Sequence, residues 1–260
     1  MILSYAVCNI SILPIYKEPS HRAEQVSQLL FGEKAEVLLT NEHGWAKIRC
    51  QWDDYEGWCT ISQLAIIPKK DYRKESKYLV QGGKLIFEQG EMWLPSGAVL
   101  AKTKIEVLGH VGIFKGKKES IQELKPTVEN LKSTVFQYLN APYLWGGRSI
   151  AGIDCSGLSQ MTFKCCNIPL PRDASQQANE GELVDFLQHA QCGDLAFFDN
   201  AEGRINHVGI LLDQENIIHA TEVAGRVVVD KIDPAGIISK TLRKRTHNLR
   251  MVKRYRELTN

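Results

Sequence analysis

The stretch APYLWGGRSIAGIDCSGLSQMTFKCC, residues 141–166, decides how this chain folds. A loop containing Gly146, Gly147 and Gly152 runs into Asp154-Cys155-Ser156-Gly157. Leu158, Met161, Thr162 and Cys165 then recur at the i, i+3, i+4, i+7 spacing of a helix, which Asn167 and Pro169 end. Cys155 therefore falls in the first helical turn, where unpaired backbone N–H groups and the macrodipole favour negative charge. Thiolate is the reactive form of cysteine, and a helix start lowers its pKa. Gly157 is a poor helix former, so a close backbone approach is expected there.

A nucleophilic thiol needs a base. Beyond Pro169-Leu170-Pro171-Arg172-Asp173, strand-like runs occupy residues 193–198, 204–212, 216–221 and 226–231. The second and third carry His207 and His219. A three-residue loop, Asp213-Gln214-Glu215, sets His219 across from Gly209 and diagonal to His207, about 7–8 Å away and within reach of two imidazoles. Two- and four-residue loops would put the rings on opposite faces. Cys155 alone reads as readily as a small buried hydrophobe, and either histidine alone as structural. Their joint order reads as nucleophile, base and orienting residue.

Working outward, residues 1–68 read as short strands between turns. Residues 34–39 (KAEVLL), 45–50 (WAKIRC) and 57–60 (GWCT) alternate with the period of half-buried strands, and Asn41-Glu42-His43-Gly44 and Trp52-Asp53-Asp54 are turn clusters. Small β-barrels are built this way. Residues 69–122 carry weaker strand signals at 84–87, 99–101 and 105–108. Residues 126–140 read as a helix with Val128, Leu131, Val135 and Leu139 on one stripe, opening a domain over 123–260.

Asp154-Cys155-Ser156-Gly157, Asn206-His207-Val208-Gly209-Ile210 and Ile218-His219-Ala220 together resemble the NlpC/P60 cysteine peptidases of cell-wall peptides, and the order of motifs in residues 1–68 resembles a bacterial SH3-like domain. The implied fold class is α+β: an N-terminal SH3-like β-barrel region, a segment over 69–122 that is either a second, degraded SH3-like unit or a plain β-rich connector, and a papain-like domain. The implied subgroup is the γ-D-glutamyl-L-diamino-acid endopeptidases of murein-peptide recycling, with Cys155 as nucleophile, His207 as base and His219 as orienting residue. The resemblance also implies that Tyr143, Asp154, Ser156, Arg172 and Asp173 line the cleft, with Asp173 meeting a free peptide ammonium. Some relatives have serine after this aspartate; here it is Ala174. Glu24 and Tyr55 of the SH3-like domain are implied to close the amino-terminal end of that cleft. The implied substrate is a short murein peptide, L-Ala-γ-D-Glu-diamino acid. Two rivals stay open: hydrolysis or acyl transfer on another γ-linked amide or on intact cell wall by the same fold, and a non-catalytic peptide-binding protein.

Composition bounds the rest. The 260 residues are 43% hydrophobic and 24% charged, with a net charge of +2, so no global field points to nucleic acid or membrane as a partner. The basic run from Lys240 to Arg256 reads as a solvated face with a final strand. The first twenty residues lack a basic n-region and are interrupted by Ser4, Cys8, Asn9 and Ser11, which argues against a signal peptide. Seven cysteines without CxxC spacing read as thiols of a reducing compartment, so a cytoplasmic location is expected. Neither catalytic histidine has carboxylate or cysteine at ligand spacing, so no metal or other cofactor is expected. Trp45, Trp58 and Trp145 read as packing anchors, Cys165 and Cys166 as core residues, and His21, His43, His110, His189 and His247 receive no role.

Overall fold

A computed structural model describes residues 2–259. The chain divides into two compact units, Met1–Leu124 and Lys125–Asn260.

In the first unit, seven antiparallel strands form a sheet whose outer members are Gln25–Leu30 and Leu64–Ile67. The alternating runs become Lys34–Thr40, Trp45–Cys50 and Glu56–Thr60, paired in that order. Ala6, Leu13, Ile15, Leu29, Val37, Ile48 and Cys59 from successive strands enter one buried cluster. A single sheet brings all its strands to one cluster only by curling round it, which is how strand twist and alternation make a small barrel. Trp45 is an edge-on neighbour of Tyr16, with ring centroids 5.7 Å apart.

Residues beyond the short helix Lys69–Tyr72 form a separate antiparallel sheet of five strands, built on the long pair Tyr78–Phe87 and His110–Ser120. The strand signals at 84–87, 99–101 and 105–108 fall on Tyr78–Phe87, Val99–Leu100 and Lys104–Val107.

The second unit opens with the helix Val128–Gln137, capped by the Thr127 hydroxyl, which accepts from the Asn130 N–H at 3.1 Å. Leu131 and Val135 are buried, whereas Leu139 lies past the helix end and is exposed, so it leaves the expected stripe. The main sheet runs through Leu195–Asp199, Ile205–Leu211, Asn216–Thr221, Arg226–Asp233 and Gly236–Ser239. The long strand Lys244–Arg254 pairs with both Leu195–Asp199 and Gly236–Ser239, joining the two ends of that run, and also with Glu182–Val184. The helix Cys155–Lys164 packs on this sheet. Every residue of it is buried, Gln160 and Lys164 included, so it is a central helix rather than one with a single apolar stripe.

Candidate active site

Cys155 begins its helix as the loop reading expects. Asp154 is the N-cap: one carboxylate oxygen accepts from the Gly157 N–H at 2.7 Å, the other from the Gly146 N–H at 2.8 Å. The same carboxylate takes a two-pronged contact from Arg172, at 3.1 and 2.6 Å, and Arg172 also donates to the Ser156 hydroxyl at 2.8 Å. All three side chains are buried. Asp154 and Arg172 thus direct their charge at one another beneath the helix start. Gln177 adds a brace, donating to the Ser156 and Pro171 carbonyls at 3.1 and 2.8 Å while accepting from Ser159. Gly157 has the expected reason: a Cβ there would lie 2.3 Å from the Gly147 carbonyl oxygen.

The histidine strands take the three-residue connection. Ile210 pairs with Ile218 and Leu211 with Ile217, the register that sets His219 across from Gly209. A Cβ on Gly209 would come within 2.6 Å of Ile217 Cδ1 and 3.0 Å of the His219 Cβ, so the glycine leaves room for both side chains. Nε2 of His207 meets Nδ1 of His219 at 2.9 Å, and Nε2 of His219 faces Asp230 Oδ2 at 3.3 Å. Asp230 Oδ1 accepts the Lys240 N–H at 2.8 Å.

His247, given no role by the sequence, lies against this group. Its ring stacks on His207 with centroids 4.1 Å apart and planes 23° from parallel, and Phe198 touches both rings. His247 reaches the site from the long closing strand, opposite Ile237 and next to a register shift. Asp230 was also missed. Val228 is across from His219, so Asp230, two residues on, shares that face. The charge directly after the apolar run Val227-Val228-Val229, within a single strand, was the available signal.

The electrostatics correct one expectation. Burial, and then the Asp154 carboxylate, push the Cys155 thiol up to about 12; backbone N–H groups of Val208 and Ser156 pull the other way and lose. The helix-start effect is present but outweighed. Burial pushes His207 well below its ordinary value, and His219 and His247 add to this. The resting pair is therefore neutral thiol and neutral imidazole. With Nε2 of His207 engaged by His219, Nδ1 is the ring atom left to serve the thiol, whose neighbour Val208 follows His207 in sequence. Burial beside Cys155 and Asp154 raises the Tyr143 phenol, keeping it a hydrogen-bond donor.

Asp173 is half-buried rather than buried, and its backbone N–H donates to Gln176 at 3.2 Å. Trp145 is 54% exposed and so is not the packing anchor expected. Cys165 and Cys166 are buried as expected. Glu24 and Tyr55 lie in the first unit: Glu24 is 3.5 Å from Lys17 Nζ, and Tyr55 packs against the barrel core.

A buried thiol at a helix start, packed on an antiparallel sheet that carries two hydrogen-bonded imidazoles, is the arrangement of a thiol hydrolase of papain-like design. The comparisons are specific. Residues 140–246 match the NlpC/P60 family and residues 15–64 the bacterial dipeptidyl-peptidase SH3 domain. The γ-D-glutamyl-L-lysine dipeptidyl-peptidase of Bacillus subtilis is 30% identical over 223 residues, covering 78% of this chain and 74% of that protein. The protein of the same name from Bacillus cereus is 34% identical over 117 residues, 44% of this chain but 35% of its own length. A crystal structure of an NlpC/P60 family protein from Bacillus cereus superposes with a TM-score of 0.81 at 20% identity, over 97% of this chain and 99% of that one, and speaks for the fold. The chain belongs to the NlpC/P60 family and is a peptidase of that family carrying an N-terminal SH3 domain.

Proposed function

We propose that this protein is a cysteine endopeptidase that hydrolyses the γ-D-Glu–diamino acid amide of short murein peptides with a free N-terminal L-alanine. The observation that carries the reading is the 2.9 Å contact between His207 Nε2 and His219 Nδ1, on the sheet against which the Cys155 helix packs. In this reaction Nδ1 of His207 takes the thiol proton as substrate arrives, and Sγ attacks the amide carbonyl carbon. The helix-start N–H of Cys155 and the protonated Tyr143 hydroxyl donate to the oxyanion. As the C–N bond breaks, the His207 imidazolium returns its proton to the leaving amine. His207 then deprotonates a water, which releases the acid from the thioester.

The activity for which the two Bacillus peptidases are named supports the γ-D-glutamyl bond as the scissile one. Asp173 is the candidate for the peptide ammonium, and Glu24 and Tyr55 are the candidates for closing the amino-terminal side. Recycling in a reducing cytoplasm is the proposed setting, supported by the seven cysteines lacking CxxC spacing and none of them being placed for a disulfide. Mass spectrometry of L-Ala-γ-D-Glu-diamino-acid peptides, incubated with wild type and with Cys155→Ala, tests the reading. The dipeptide product should appear only with wild type. Its absence with both proteins would sink the substrate assignment, and its presence with both the nucleophile.

A further inference from the structure

The pair His207–His219 leaves a chemical question open: nothing in two imidazoles sharing one hydrogen bond decides which way the proton points. If His207 donates from Nε2, its Nδ1 is bare and can accept the thiol proton. If His219 donates from Nδ1 instead, His207 must carry its proton on Nδ1 and is useless as a base. A neutral imidazole holds one proton, so the choice at one ring fixes the other.

We propose that Asp230 makes this choice and is the terminal positioning residue of the catalytic relay. An ionised carboxylate only accepts hydrogen bonds. Asp230 Oδ2 lies 3.3 Å from His219 Nε2 and is buried with it. It therefore requires the His219 proton on Nε2, leaves His219 Nδ1 as acceptor, and draws the His207 proton to Nε2. The direction then runs Cys155, His207, His219, Asp230, with every donor aimed at the carboxylate and Nδ1 of His207 bare. Burial raises the carboxyl, but hydrogen bonds from His219 and from the Lys240 N–H outweigh it and keep Asp230 below the ordinary carboxylate value, hence ionised at neutral pH.

The backbone around Asp230 makes the inference sharp. Oδ1 is committed to the Lys240 N–H at 2.8 Å. In Asp230→Asn the amide oxygen must stay there, since an NH2 group cannot accept. The amide nitrogen then occupies the Oδ2 position and donates to His219 Nε2. That forces the His219 proton to Nδ1 and the His207 proton to Nδ1, reversing the relay while preserving the shape and the Lys240 bond. In Asp230→Ala no donor is imposed and the tautomers are unbiased, but the Lys240 N–H loses its partner. The relay therefore predicts opposite orders: the asparagine variant is the more stable and the less active of the two. A merely structural carboxylate predicts that alanine is worse on both counts.

The proposal rests on the catalytic reading above, so one readout is chosen to be independent of substrate. Long-range 15N–1H NMR of the resting enzyme reports which nitrogen of each imidazole carries the proton. Wild type should show His207 and His219 both protonated on Nε2, and Asp230→Asn both on Nδ1. In peptide turnover, kcat/KM should fall about a hundredfold or more for Asp230→Asn and about tenfold for Asp230→Ala, in kcat rather than KM, while melting temperatures rank asparagine above alanine. A wild-type His219 protonated on Nδ1, unchanged tautomers in Asp230→Asn, or an asparagine variant as active as the alanine one would overturn the proposal. The expected tautomers in a protein that cleaves no murein peptide would uphold the relay and refute only the substrate.

Discussion

His207, His219 and His247 converge on one another, on the sheet against which the Cys155 helix packs. Cys155, held up to about 12 by burial, should show no thiolate absorbance at 240 nm between pH 5 and 9, measured as wild type minus Cys155→Ala. A titration step near neutrality would mean that thiolate and imidazolium form at rest. His207 lies well below its ordinary value and His247, through burial and then His219, at about 4. Both are neutral when folded, whereas unfolded imidazoles take a proton near 6.5. The unfolded state therefore binds more protons below that pH. The stabilising contribution is complete above about 6.5 and is lost as pH falls below it, by at most about 1.4 kcal/mol per pH unit for each ring. Denaturant melts at pH 7, 6 and 5 should show that decline, shallower in His247→Gln because one titrating ring is gone. Parallel slopes in the two proteins would place His247 in water rather than against His207.

The central helix shows what holds the nucleophile. Arg172→Ala would strand the buried Asp154 carboxylate, and loss of one partner of such a pair costs about 3–5 kcal/mol. Gly157→Ala would drive a methyl into the Gly147 carbonyl, an overpacking cost of about 1–3 kcal/mol. Calorimetry should find both variants melting several degrees lower, with Arg172→Ala the worse; an unchanged Gly157→Ala would contradict the close approach. These elements were also the most legible in the sequence. The Cys155 turn, the strands around His207 and His219, and the loop length that sets their diagonal all follow from local spacing. The sheet of residues 78–120 was only partly legible: the signals at 84–87, 99–101 and 105–108 fall on its strands, but the long strand His110–Ser120 gave none, because it runs through Lys115-Gly116-Lys117-Lys118-Glu119 and is largely exposed. Such a strand is held by its backbone ladder and has no alternating apolar signal. His247 was invisible for another reason: a register shift in a distant strand delivers it, and no local pattern encodes that shift.

Taken whole, the molecule joins a small barrel and a peptidase unit in one chain, and the proposed preference for free amino termini belongs to this scale. Acetylating the alanine amine of the substrate removes the charge that would pair with Asp173. Full desolvation of that carboxylate would give discrimination of a hundredfold or more, but a half-buried group is partly screened, so about tenfold or more is the expected loss in kcat/KM. Asp173→Asn should narrow the gap between the two peptides. Equal cleavage of both by wild type, or ready digestion of intact sacculi, would make the protein a wall hydrolase instead.

The strand Lys244–Arg254 also sets a timetable. It clasps Glu182–Val184, Leu195–Asp199 and Gly236–Ser239, and it delivers His247 to the stack. During synthesis the ribosome makes about 5–20 residues per second, so the apolar strand Leu195–Asp199 waits on the order of seconds for this neighbour. Meanwhile Phe197 and Phe198 sit on an open edge, although the strands bearing His207 and His219 have already been translated. Over that interval the nascent chain carries an unpaired apolar edge, the kind of surface that invites aggregation, and it remains without the third imidazole against His207 until the clasp has been made.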